Sequence, residues 1–231
     1  MDLTTIAVLA VGVGIGVTTV RGFRLKARRE NYIRTYMFPT GVFEKFAQAR
    51  PGLGIKEQQL VARALRQFFL VYLKSGFRRV AMPSRVVDDL WHEFILYTKN
   101  YAAFCDYAFG RFLHHTPAVK MGPVMSDNEG LRRVWWFCCL EENINPRNAT
   151  RLPLLFALDR KLGIADGFVY DLQCRRQLAK TAGADGGGCS AGCADSFSDP
   201  HIDGTIEGFG DSASGDGGDG GCSGGCGGGG D

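Results

Sequence analysis

The sequence predicts an all-α protein: a single N-terminal transmembrane helix, a cytoplasmic helical bundle-like domain and a Gly/Cys-rich C-terminal tail. Three observations carry that expectation. Leu3 to Val20 is uncharged and mostly apolar. The middle of the chain shows apolar residues at helical spacing, with no sustained alternation of the kind strands need. From residue 182 the composition changes, with 19 glycines in the last 50 residues and almost no apolar content. The expected boundaries are a membrane anchor at 1–21, a basic juxtamembrane segment with short helices at 22–54, a helical domain at 55–181 and an acidic tail at 182–231.

The anchor is read from length and flanking charge. Eighteen residues at ~1.5 Å rise cover about 27 Å, close to a ~30 Å hydrocarbon core. Asp2 precedes the run, and Arg21, Arg24, Lys26, Arg28 and Arg29 follow it. Bases on the C-terminal side place the bulk of the chain in the cytoplasm, N-out, at a bacterial inner membrane. The same five bases suit anionic lipid head groups. Gly12 and Gly16 form a G-x-x-x-G, which would let two such helices approach as a homodimer.

Charge is divided along the chain. All 27 Lys and Arg residues lie at or before Lys180, whereas residues 182–231 hold nine acids and no base. A segment so poor in apolar residues cannot offset its ordering entropy by burial, so the tail is expected to be disordered. In a cytoplasmic setting the eight cysteines read as free thiols or metal ligands rather than disulfides. Cys105, Cys138, Cys139 and Cys174 lie in apolar helical patterns. Cys189, Cys193, Cys222 and Cys226 form two C-x-x-x-C pairs in the tail, the number of thiolates a tetrahedral zinc ion takes.

Within the domain, Arg50-Pro51-Gly52-Leu53-Gly54 marks a turn. Ile55 to Ser75 is an amphipathic helix closed by Gly76. Ser84 caps the next helix, expected to run to Phe109 with Gly110 ending it. Ser126 to Glu129 is a capping box before a further helix. Thr150 caps a short helix ending at Gly163, and Gly167 to Lys180 makes the last.

The helix after Ser84 carries the candidate site. Treated as one straight helix, it places Trp91, Ile95, Ala102, Cys105 and Phe109 on a packing stripe, with Phe94 and Tyr101 beside it. Asp88 and His92, at i and i+4, share a flanking face. Cys105 lies roughly 140° around the helix from His92, so those two cannot ligate one metal. An aspartate can orient an imidazole whose other nitrogen binds a metal or acts as a base. His114 or His115 could join Asp88 and His92 only if the chain folds back after Gly110. The H-E-x-x-H motif fails because Leu96 stands at its fifth position.

Val87 to His115, VDDLWHEFILYTKNYAAFCDYAFGRFLHH, resembles the D-x-x-W-H…Y…C…F-G-R…H segment of the glycine-rich domain-containing proteins of plants and their shorter bacterial relatives. Trp91, His92, Tyr101, Cys105, Gly110, Arg111 and His115 match that motif. Arg151 to Ile164 is similar to the same group, and the likeness spans about residues 55–175. It implies kinship and fold rather than an activity. The RNA-binding module of some plant relatives has no counterpart here, so no nucleic-acid partner is expected. The function expected is a membrane-tethered cytoplasmic interaction or assembly module, not an enzyme. The alternatives are a metal-binding protein or metal-dependent hydrolase centred on Asp88, His92 and His115, with zinc as the ion, and a thiol redox or metal-handling role of the tail cysteines.

Overall fold

Gln67 to Leu73 has no polar face: Phe68, Phe69, Leu70, Val71, Tyr72 and Leu73 follow one another. A helix apolar all round must be surrounded, and the computed structural model shows this. It describes residues 2–115, 126–172 and 192–193, with 3–13, 15, 17 and 126–128 as backbone only. Among the described residues there are seven helices: α1 Leu3–Thr35, α2 Thr40–Ala49, α3 Ile55–Lys74, α4 Arg85–Leu96, α5 Thr98–Phe109, α6 Ser126–Glu141 and α7 Leu154–Lys161. Helices α1, α4, α6 and α7 all pack on α3, which is the axis of the fold. Gly76, at φ 69°, lies just past its C-terminus as expected.

The predicted transmembrane anchor is corrected by the structure. Among the described residues, no helix is long and apolar enough to cross a membrane. Leu3 to Val20 is not a separate element. It is the first half of α1, diluted by Gly12, Gly14, Gly16 and four threonines, and it continues unbroken through Arg21 to Arg29. The single-pass, N-out placement at a bacterial inner membrane rested on that anchor and is withdrawn with it. Arg21, Arg24, Lys26 and Arg28 are exposed along this helix, and Arg29 is half-buried.

Residues 28–49 pack into the folded domain. Ile33, Phe38, Val42 and Phe46 are in the core. The Tyr36 ring lies against Phe38, Phe94 and Phe104, at centroid distances of 5.3, 5.6 and 4.6 Å. Burial of these rings and of Ile33 attaches the end of α1 and α2 to α3, α4 and α5 by apolar area removed from water.

The single helix expected over residues 85–109 is two. Tyr97 breaks it at φ −81°, ψ 62°, and serves both as the end of α4 and as the N-cap of α5. The break turns α5 relative to a straight continuation. Tyr101 and Phe104 of α5 therefore fill the core with Cys105 and Phe109 while Ala102 is exposed; on α4, Trp91 and Phe94 are buried and Ile95 only half-buried. The Tyr97 hydroxyl occupies the space above Gly41 on α2, where a Cβ would stand 2.1 Å from it. Gly110 ends α5 in the left-handed region at φ 69°, which favours glycine.

Past α6 the expectations hold in part. Ser126 lies within the first turn of α6, and Glu129 pairs with Arg133. Helix α7 starts at Leu154, with Pro153 rather than Thr150 at its N-cap, and Glu142 Oε1 accepts from the Leu154 N–H at 2.6 Å. Residues 167–172 do not form the expected helix. Instead β1, Tyr170–Asp171, pairs in parallel with β2, Gly192–Cys193. The rest of the acidic tail lies outside the described residues.

Candidate metal centre

Helix α4 holds two of the candidate ligands, and its N-terminus is unusually well anchored. Ser84 Oγ caps it by accepting from the Val87 N–H at 3.4 Å. Asp159 of α7, 2% exposed, completes the cap. Its carboxylate accepts from Ser84 Oγ at 2.7 Å and from the N–H groups of Arg85 and Val86 at 2.7 and 3.2 Å. It also takes the Phe168 N–H at 2.9 Å. A carboxylate at this position satisfies orphan donors and faces the positive end of the helix dipole. Asp88 and His92 follow within the next two turns, with His92 Nδ1 3.6 Å from Asp88 Oδ2.

The third ligand arrives from the chain after Gly110. Trp91 Nε1–H donates to the Tyr101 hydroxyl at 3.2 Å, and that hydroxyl donates to the Leu113 carbonyl at 2.5 Å. This buried relay fixes the returning strand of chain against α4 and α5. Two residues later, His115 Nε2 lies 2.8 Å from Asp88 Oδ1. The His115 ring stands edge-on to Trp91 at 4.6 Å and 4.2 Å from the His92 ring. His115 therefore meets Asp88 and His92, and His114 does not. His114 is exposed and lies against Phe112, 4.8 Å away.

One ligand atom from each of Asp88, His92 and His115 lies within 4.8 Å of the others. Side-chain exposures of 18%, 47% and 11% leave the cluster open on the His92 side. The 2.8 Å between His115 Nε2 and Asp88 Oδ1 is within the span of two donor atoms that could share one ion. Two imidazoles and one carboxylate on one face of an ion match a recurrent protein metal site with open positions. The donor set fits a borderline-soft divalent ion such as zinc.

The open side faces a cleft of about 550 Å³ lined by Ala49, Arg50, Asp89, His92, Glu93, Ala165 and Asp166. Arg50 spans it: Nε donates to Asp89 Oδ2 at 2.8 Å, and Nη1 and Nη2 grip Asp166 at 2.8 and 3.0 Å. The Arg50 hydrogen bonds hold the Asp166 carboxyl down at about 2. None of Arg50, Asp89, Asp159 and Asp166 stood out in the sequence. Arg50 read as a turn residue, and its partner Asp166 lies 116 positions away.

The cysteines separate from this centre. Cys105 is fully buried beneath Tyr101, and burial pushes its thiol up. Cys138 and Cys139 are buried too, and burial pushes Cys139 up to about 12. Of the tail set, Cys193 is described only through its backbone in β2; Cys174, Cys189, Cys222 and Cys226 lie outside the described residues.

Fold and site together define a small helical domain with a two-histidine, one-aspartate cluster at the mouth of a charged cleft. The chain belongs to the UCP032817-like family, whose model matches residues 28–197. The match begins where α1 starts to pack on the domain and ends just past β2. No curated protein and no solved structure matches the chain.

Proposed function

We propose that this protein binds a divalent transition-metal ion, zinc first, through Asp88, His92 and His115, and that the ion serves metal-dependent hydrolysis in the adjoining cleft. The observation that carries this reading is the return of His115 to a helix face already holding Asp88 and His92. Three protein ligands with an open side is the arrangement of a catalytic rather than a structural zinc site. Asp88, His92 and His115 would hold the ion, and zinc there would supply Lewis-acid activation of water near neutral pH. Kinship with the glycine-rich domain-containing proteins belongs to the same proposal. Trp91 and Tyr101 of the shared motif pin the turn, Gly110 makes it, and His92 and His115 supply ligands.

The test is zinc content and zinc titration of the full chain, its His92→Ala and Asp88→Asn variants, and a variant with all four tail cysteines changed to serine. The expected result is about one ion per chain, kept without the tail thiols and lost in the other two variants. His92 is half-exposed, so in the metal-free protein its removal should leave melting unchanged. Metal-free protein throughout, or an ion that leaves with the tail cysteines alone, would overturn the reading.

A second reading, an interaction module, is favoured by Phe23 and Leu25, 76% and 51% exposed on α1. Light scattering should then show an assembly that Phe23→Ser disperses; a monomer before and after the change counts against it.

A further inference from the structure

A second cleft, of about 1000 Å³, lies between α1, α3, α6 and α7 and shares no residue with the metal centre. Its acids are already engaged. Glu141 pairs with Arg34 and Lys74, and Glu142 pairs with Arg151, the Leu154 N–H and Gln67 Nε2. Three cations on its walls have no carboxylate among the described residues: Arg63 and Arg66 on α3 and Lys161 on α7. Arg66 is half-buried, its Nε donating to the Tyr36 carbonyl at 2.9 Å and its guanidinium carbon 5.2 Å above the Phe38 ring. Burial pulls its ionisation below the usual arginine range, the mark of a partly desolvated charge without a counter-ion.

The second observation is Gln67, 7% exposed on the floor of the same cleft. Its Nε2 donates to Glu142, which fixes the amide orientation, and its Oε1 is buried with no hydrogen-bond partner. A buried acceptor left unpaired is destabilising, so a ligand donor at this point is worth having. Leu60, Leu70 and Leu154 add an apolar wall.

We propose that this cleft binds a soluble organic phosphate of about mononucleotide size. Arg63, Arg66 and Lys161 hold the phosphate, a hydroxyl or amine donates to Gln67 Oε1, and the body of the ligand lies on the leucine wall. Three uncompensated cations suit a doubly charged group better than a single carboxylate. The volume lies at the upper end of the usual ligand range of about 300–1000 Å³.

Calorimetric titration of the full chain with AMP, adenosine and inorganic phosphate tests this, beside sedimentation with phosphatidylglycerol vesicles. AMP should bind at least about tenfold tighter than either fragment. The double variant Arg63→Ala/Lys161→Ala, both exposed, should lose at least about tenfold in AMP affinity with unchanged melting. Gln67→Met should weaken AMP and spare inorganic phosphate. The proposal is overturned by no AMP binding at millimolar concentration, by affinity undiminished in the double variant, by equal affinity for adenosine, or by binding to the vesicles alone.

Discussion

Replacing Asp159 is the sharpest way to test how the fold supports its site. Its carboxylate accepts four hydrogen bonds, from Ser84 Oγ and from the N–H groups of Arg85, Val86 and Phe168. In Asp159→Ala all four donors lose their acceptor. Ser84 and Val86 are fully buried, so each costs about 1–3 kcal/mol when orphaned. Arg85 and Phe168 are exposed enough to recruit water and contribute little. Loss of a negative charge at the α4 N-terminus adds about 0.3–1 kcal/mol. The expected sum is about 2–7 kcal/mol. Asp159→Asn keeps one oxygen as acceptor and turns an amide against the remaining N–H groups, for about half that loss. With a urea slope of about 2 kcal/mol/M, the unfolding midpoint should fall by about 1–3.5 M for alanine and about half that for asparagine. Circular dichroism during urea titration measures it. A fall below about 0.5 M for alanine would show that the N-terminus of α4 does not depend on α7, and the account of how Asp88 is held would fail.

Three further outcomes follow from the geometry. Tyr101→Phe strips Trp91 Nε1 of its acceptor and the Leu113 carbonyl of its donor, costing about 2–3 kcal/mol; a thermal melt lowered by about 4–10 °C is expected, and an unchanged melt would refute the relay. Cys105, Cys138 and Cys139, buried and with thiols pushed up, should resist iodoacetamide in the native protein while reacting in denaturant; peptide mass spectrometry reads this, and native labelling at the denatured rate would contradict it. The Asp166 carboxyl is held at about 2 by Arg50; burial raises that of Glu141, but Lys74 and Arg34 outweigh it and bring it below the ordinary range. Folded values below unfolded ones mean stabilisation that is complete above about pH 5 and lost as pH falls toward 2. Asp166 is half-exposed and salt-screened, so the slope is best measured at low ionic strength. Arg50→Gln should flatten part of it, and an identical pH profile would refute the clasp.

Local signals were readable wherever one residue or one periodic run decides the outcome. The Ile55–Lys74 helix, the Ser84 cap, the glycine stops at Gly76 and Gly110, and the shared face of Asp88 and His92 all follow from such signals. The break at Tyr97 was not legible, since Phe94 to Lys99 contains neither glycine nor proline and the cause lies partly across the fold at Gly41. That break turned Tyr101 and Phe104 into the core and Ala102 out of it. The return of His115 depends on the Trp91–Tyr101–Leu113 relay, a tertiary arrangement no spacing rule encodes. The apolar run at Leu3–Val20 misled because its charge-free length outweighed its glycines and threonines, and because the helix that contains it continues into the folded domain.

Asp159 also bears on how divisible the molecule is. The candidate ligands lie between Asp88 and His115, a stretch short enough to synthesise as a peptide. Yet the helix holding two of them is capped from α7, and the adjoining cleft is closed by Arg50 from one side and Asp166 from the other. A peptide of that stretch would carry every ligand and the Trp91–Tyr101–Leu113 relay, but neither the Asp159 cap nor the Arg50–Asp166 clasp. The centre is therefore a property of the whole folded domain, and grafting its motif onto another helix would transfer the letters without the geometry.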